Sequence, residues 1–181
     1  GDNKKPKPEQ LKGIDIVLFD IQDVGVRFYT YISTLTYVME AGAENGVEVI
    51  VLDRPNPHDG YIDGPVLKDQ WKSFVGMHNV PVVYGLTIGE YGNMVNGEKW
   101  LKNGVQAKYT LIPMLGYHKQ KRYGVLDKPS PNLPNDKAIN LYPSLCFFEG
   151  TQVSVGRGTD FPFQIFGSPW TKNLPYKFTP K

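Results

Sequence analysis

The chain has 181 residues, 40% of them hydrophobic, with 20 Lys and Arg against 18 Asp and Glu, a formal net charge of +2 and a pI near 8.5. That length suits one ordinary domain with a sizeable core, or one domain and part of another. The balanced charge and the lack of a Lys/Arg-rich run argue against nucleic acid as a partner. No apolar stretch reaches the ~20 residues of a membrane helix, and with Cys146 as the only cysteine there is no internal disulfide.

The opening Gly1-Asp-Asn-Lys-Lys-Pro-Lys-Pro8 is polar and Pro-rich, and residues 1–12 are expected to form a linker or tail. Ile14-Asp-Ile-Val-Leu-Phe19 and Val47-Glu-Val-Ile-Val-Leu52 are rich in β-branched and aromatic residues, the pattern of strands covered on both faces. Between them Phe28, Ile32, Leu35 and Met39 fall on one helical stripe, and Gly42 and Gly46 offer stop signals. Such a β-α-β unit has a right-handed crossover and parallel strands, so the loops after Phe19 and Leu52 emerge at one edge of the sheet. Open α/β sheets bind ligands at that carboxyl edge.

From His58 to Met77 the chain reads as one long irregular loop, and loops of that length in compact domains are usually functional. It is expected beside the site, with Trp71 and Phe74 covered. Pro81–Tyr84 reads as a short strand, and Thr87 as an N-cap with Glu90 at capping-box spacing ahead of a helix through Tyr91, Met94 and Val95. Gln106–Ile112 alternates like a strand, and residues 113–134 are loop-like. A helix is expected around Ala138–Phe148, with Pro143 marking a break or a start inside it. Thr151–Val155 then reads as a strand whose loop, Gly156–Asp160, is expected to join the same cleft as the loops after Phe19 and Leu52. The fold class is α/β with a mostly parallel sheet.

Several strings carry chemistry that a strand or helix does not need. In Asp20-Ile-Gln-Asp23-Val-Gly-Val-Arg27-Phe-Tyr29-Thr-Tyr31, either aspartate can supply a carboxylate for acid/base work or hold sugar hydroxyls, while Gln22, Arg27, Tyr29 and Tyr31 orient a polar ligand. Helix capping and an internal Asp–Arg ion pair are the structural alternative. Asp53-Arg54-Pro-Asn56-Pro57 sets an acid, a forked donor and an amide on a loop stiffened by two prolines. That suits either a pre-organised pocket or a rigid turn with a satisfied ion pair. Glu149 emerges from the apolar Phe147-Phe148 pair, where burial would raise its pKa and fit it to act as a general acid, or it is an ordinary helix-end residue.

Gly156-Arg157-Gly158-Thr159 lacks the P-loop lysine and is too short for a dinucleotide fingerprint, which leaves close backbone approach to a ligand with Arg157 as its anionic contact. His58, His78 and His118 are too widely spaced for the short zinc motifs, so no metal is expected. There is no Gly-x-Ser-x-Gly elbow for a serine hydrolase. Cys146, between Leu145 and Phe147, reads as a structural thiol.

Taken in order, Phe19-Asp-Ile-Gln-Asp-Val-Gly-Val-Arg-Phe-Tyr-Thr-Tyr-Ile-Ser33, Val51-Leu-Asp-Arg-Pro-Asn-Pro57, Phe74-Val-Gly-Met-His78, Leu86-Thr-Ile-Gly-Glu-Tyr91, Lys128-Pro-Ser-Pro-Asn132-Leu-Pro134 and Phe148-Glu-Gly-Thr-Gln-Val-Ser-Val-Gly-Arg-Gly-Thr159 resemble the exo-β-N-acetylmuramidase family, long known only as a domain of unknown function. The resemblance runs from Gly13 to about Trp170. It implies a bacterial glycosidase, periplasmic or secreted, that removes N-acetylmuramic acid from the non-reducing ends of peptidoglycan fragments without a cofactor. It also implies a Rossmann-like domain with helices on both faces, here residues 13–135, and from 136 to 181 the start of a smaller α+β domain. A Pro-Glu-His-Gly stretch of the family has no match in these residues, so the chain reads as the central part of a longer protein.

Glycosidases use two carboxyl groups around the scissile bond, and Asp23 and Glu149 are the catalytic candidates. The lactyl carboxylate of muramic acid gives Arg27, Arg54 or Arg157 a role as bidentate anchor, and Tyr29 or Tyr31 can pack on a sugar face. Asp20, Gln22, Asp53, Asn56, Asn132 and Thr159 complete the expected substrate-binding set. A sugar-binding module without turnover is the rival reading. A nucleotide-binding Rossmann domain is disfavoured, because no glycine-rich turn follows Phe19.

Overall fold

Three short runs of β-branched and aromatic residues pair into a parallel sheet in the order β1 (Ile16–Phe19), β2 (Glu48–Leu52), β3 (Tyr109–Ile112), with Leu18 opposite Ile50 and Ile50 opposite Thr110. The structure is a computed structural model that describes residues 3–119, 121, 123–125 and 128–180. It divides into two units, Gly1–Lys121 and Arg122–Lys181.

In the first unit, α1 (Pro8–Leu11) precedes β1, α2 (Tyr31–Asn45) crosses from β1 to β2, and α3 (Ile88–Gly97) precedes β3. Phe19, Val49 and Val51 project from one sheet face into a core with Ile32, Leu35 and Met39 of α2 and Ile88, Tyr91 and Val95 of α3. The opposite face shows Ile16, Leu18 and Ile112 to solvent, with Leu18 63% exposed. Cover on both faces, expected from the apolar runs, is therefore absent at these positions. Alternate residues of a strand face opposite ways, so apolar sequence shows what a face can bury and not whether anything packs there.

Helix α2 starts later than its stripe suggests, which leaves Phe28 in the preceding loop. It runs through Gly42, where a Cβ would meet the Val47 carbonyl oxygen at 2.8 Å, and it stops at Gly46, whose φ of +69° suits glycine. Residues near the N-terminus pack on α2: Lys5 pairs with Glu40 at 3.1 Å and Glu44 at 2.7 Å, and Leu11 is buried with Ala41 and Val47. Pro81–Tyr84 forms no strand; Val83 instead makes isolated antiparallel bridges to Val26 and Asp63. Strands β1 and β3 are shorter than expected, beginning at Ile16 and Tyr109.

In the second unit, α4 (Asp136–Leu145) is capped by Asn135, whose side chain accepts from the Ala138 N–H at 2.9 Å. Pro143 neither starts nor breaks it. The missing N–H forfeits one bond, and after Leu145 the chain tightens into a 3₁₀ turn, Cys146–Gly150. Tyr142 packs edge-on against Phe163 at 4.9 Å. The expected strand at Thr151–Val155 is reduced to a bridge between Ser154 and Gly167. Among the described parts of residues 113–134 there is no helix or strand; residues 120, 122, 126 and 127 of that stretch lie outside the described residues. Among the described residues no helix is long and apolar enough to cross a membrane.

The capping box of α3 forms as its spacing predicts. Thr87 accepts from the Glu90 N–H at 3.2 Å, Glu90 accepts from the Thr87 N–H at 2.9 Å, and the Thr87 hydroxyl donates to Asp53 Oδ2 at 2.7 Å. Thr87→Ala is expected to lower the unfolding free energy by about 1 to 2 kcal/mol. The measurement is the urea midpoint, with the slope unchanged; a midpoint equal to the wild type's would mean that the cap carries no stability.

Candidate functional site

The loops that follow β1 and β2 meet at the carboxyl edge of the sheet, and they meet closely. Gly25 has φ +71°, and a Cβ there would stand 1.9 Å from Asn56 Oδ1. Asn56 is buried and fully engaged: its Oδ1 accepts from the His58 N–H at 2.7 Å and its Nδ2 donates to the Leu86 carbonyl at 2.8 Å. Gln22 donates from Nε2 to the carbonyls of Asp23 and Pro55, both at 2.7 Å. The Gln22–Pro55 bond therefore ties the two loops together, and Asn56 is fixed where it packs against Gly25.

Asp23 is buried to 4% exposure. Its Oδ2 accepts from the Gly25 N–H at 2.8 Å and from the Tyr84 hydroxyl, while Oδ1 has no partner among the described residues. Burial pushes its carboxyl up to about 6, against the pull of the Tyr84 and backbone hydrogen bonds. Burial and the neighbouring Asp23 charge also raise Tyr84 well above the usual phenol range. His58 is buried beside this turn, with Nδ1 2.7 Å from the Val24 carbonyl and Nε2 unpaired among the described residues. A carbonyl only accepts, so Nδ1 carries the proton; desolvation lowers the ring's pKa and keeps it neutral.

Asp53 serves the helix behind it. Its Oδ1 accepts from the Gly89 N–H at 3.0 Å and the Arg54 N–H at 3.1 Å, and its Oδ2 takes the Thr87 hydroxyl, so the carboxylate sits on the N-terminus of α3. Its pKa is nonetheless raised, because desolvation outweighs those bonds. Arg54 and Asp20 face outward and pair, Nε to Oδ1, at 2.6 Å with side chains 33% and 46% exposed. Tyr29 and Tyr31 are half-buried, hydrogen-bonded to each other and set edge to face at 5.0 Å. Arg27 is buried and donates from Nη1 to the carbonyls of Pro65 and Val80.

The second unit carries the other predicted residues. Glu149 does not emerge into an apolar pocket: it pairs with Arg157 and accepts from Cys146 Sγ at 3.2 Å. The Arg157 guanidinium lies over Phe163 at 5.2 Å. Burial pushes the Cys146 thiol up to about 12, which leaves no thiolate for nucleophilic work at neutral pH. Thr159 closes its own turn, its hydroxyl donating to the Gly156 carbonyl at 2.7 Å, and the Asn132 N–H donates to Ser130 Oγ at 3.2 Å.

Sequence reasoning missed Tyr84 and underrated His58, which was weighed only as a metal ligand. Trp71 is 67% exposed rather than covered. Among the described residues no group of three His, Cys, Asp or Glu side chains is placed to hold a metal ion.

Residues 1–137 match the family model for the N-terminal part of exo-β-N-acetylmuramidase NamZ, and residues 140–178 match the model for its C-terminal part. The chain belongs to this family. It is 44% identical to the peptidoglycan β-N-acetylmuramidase NamZ of Bacillus subtilis (strain 168), over 99% of the chain and 44% of that protein. Two crystal structures of DUF1343 family proteins from Bacteroides fragilis superpose with TM-scores of 0.94 and 0.88 at 49% and 40% identity. They cover 97% and 95% of this chain, which covers 50% and 46% of theirs. The chain thus spans about half the length of the relatives it matches.

The Asp23 carboxyl gives this site a pH signature. Its folded pKa near 6 lies above the ordinary 3.8, so the folded state holds the proton more tightly. The stability this group contributes is complete below about pH 4 and is lost as pH rises through 6, by about 3 kcal/mol. Asp23→Asn is expected to remove that slope, so the difference in unfolding free energy between variant and wild type should change by this amount between pH 4 and 7. A difference that stays constant over the same range would contradict the raised pKa.

Proposed function

We propose that this chain carries the sugar-binding carboxyl edge of an exo-acting β-N-acetylmuramidase that releases N-acetylmuramic acid from the non-reducing ends of peptidoglycan fragments. The observation that carries this reading is a continuous match to the family over residues 1–137 and 140–178, together with 44% identity to a relative named for that activity. The edge supports it chemically. Asp20 and Arg54 offer an exposed acid and a forked donor for sugar hydroxyls and carboxylates, and the Tyr29/Tyr31 pair offers aromatic surface. Asp23, having no exposed carboxylate oxygen to offer, is assigned to holding the loop. In the second unit, taken by itself, Glu149 and Arg157 pair with each other, and Arg157 is proposed separately as a reader of the lactyl group. The same reading puts the enzyme in the periplasm or outside the cell, where peptidoglycan lies.

The direct test is incubation of the protein with a muramyl-terminated disaccharide and with its glucosaminyl analogue, which lacks the lactyl carboxylate, followed by mass spectrometry of the released sugar. Release of N-acetylmuramic acid supports the reading; binding without release favours a sugar-binding module. Arg157→Ala is expected to lower kcat/KM on the muramyl substrate tenfold to a hundredfold, because a charge-assisted hydrogen bond contributes roughly 1.5 to 3 kcal/mol. Turnover of the analogue should be nearly unchanged. Equal losses on both substrates would assign Arg157 to structure.

A further inference from the structure

The long loop between β2 and α3 is closed at its neck by the paired backbones of Asp63 and Val83, at 2.9 and 3.1 Å, and just inside that pair by Arg27. Arg27 Nη1 donates to the Pro65 carbonyl at 2.7 Å and to the Val80 carbonyl at 2.5 Å, and the Leu67 N–H adds a bond to the same Val80 oxygen at 3.2 Å. The 14 residues between these two carbonyls have the size and close-set ends of an Ω-loop. Within it Asn79 Nδ2 reaches across to Asp69 Oδ1 and the Leu67 carbonyl, both at 2.9 Å, and Ser73 and Gly76 exchange backbone bonds. Phe74 stacks on Tyr37 of α2, and His78 stacks on Trp100 and shares a hydrogen bond with the Tyr91 hydroxyl.

Arg27 itself is 8% exposed, and among the described residues it makes no ion pair. A cation held only by neutral carbonyls below the surface is costly to bury, and desolvation lowers its pKa. The Arg27 backbone N–H donates to the Val82 carbonyl at 2.8 Å, so the clasp is continuous with the site loop that carries Asp20, Gln22 and Tyr29.

We infer that Arg27 is a positioning residue, a clasp that makes loop 66–79 one body fixed against the site loop, rather than the anchor of a substrate carboxylate. The inference deepens the glycosidase reading and rests on it for its kinetic part. Its structural part stands alone.

Hydrogen exchange and kinetics of Arg27→Met and Arg27→Lys test it. Arg27→Met should speed amide exchange across 66–79 by about tenfold or more while amides of α2 and β2 keep their rates. It should lower kcat/KM on the muramyl substrate and on its glucosaminyl analogue by the same factor, mainly through KM. Arg27→Lys should restore both properties, since one ammonium can donate to two carbonyls but cannot reproduce a bidentate fork. Unchanged loop exchange in Arg27→Met overturns the clasp, and faster exchange with unchanged kinetics overturns the positioning role. A loss confined to the muramyl substrate returns Arg27 to reading the lactyl group. If Arg27→Met does not fold, Arg27→Lys decides: wild-type loop exchange with an unchanged substrate ratio supports the clasp, and a muramyl-selective loss refutes it. Should the wild type cleave neither substrate, the glycosidase reading fails while the exchange data still judge the clasp.

Discussion

A side chain at Gly25 would place its Cβ 1.9 Å from Asn56 Oδ1, so the two edge loops can adopt their present arrangement only with glycine at that position. The contact sets the rest of the edge. Because Asn56 is simultaneously bonded to the His58 N–H and the Leu86 carbonyl, the turn at Gly25 is held against both the start of the long loop and the entry to α3. Asp53, three residues earlier, fastens the same segment to the first turn of α3. Loop one, loop two and α3 are thus one mechanical unit, and Asp20, Gln22 and Arg54 inherit their positions from it.

Below that edge lies a layer of buried ionisable groups: Asp23, Arg27, His58 and His78. Burial dominates each of them, raising Asp23 to about 6 and lowering His78 to about 4. Each shift disfavours the charged form. Hydrogen bonds offset part of the cost, from Tyr84 for Asp23 and from two carbonyls for Arg27. Such groups are expensive to bury and poor at meeting a ligand, which suits them to holding a loop in place.

The parallel β1–β2 pair, the α2 crossover and the α3 capping box were legible in the sequence because each rests on local pattern: β-branched apolar runs, 3.6-residue spacing, and Thr87 three residues before Glu90. What escaped was everything that depends on partners far along the chain. Nothing near Arg27 announces that Pro65 and Val80 will flank its guanidinium, and nothing near Asp23 points to Tyr84, 61 residues away. The short strands expected at Pro81 and Thr151 fail for a related reason: β-propensity marks a segment that can pair, while pairing needs a neighbour in register. At Glu149 the two alternatives the sequence leaves open turn on whether the adjacent phenylalanines are covered, and Phe147 is itself 57% exposed.

The expected site residues of the first unit therefore sort by how much of their polar capacity the fold already uses. Asp23, Arg27, Asp53 and Asn56 are committed to backbone groups and neighbouring side chains, and their removal should be felt as loosened loops. Asp20 and Arg54 form a part-exposed ion pair between the two loops. A sugar hydroxyl or carboxylate can exchange into that pair at little cost, because an exposed ion pair is worth only about 0.2 to 1 kcal/mol. The Gln22–Pro55 bond and the Gly25–Asn56 contact join the same two loops and do not run through that pair.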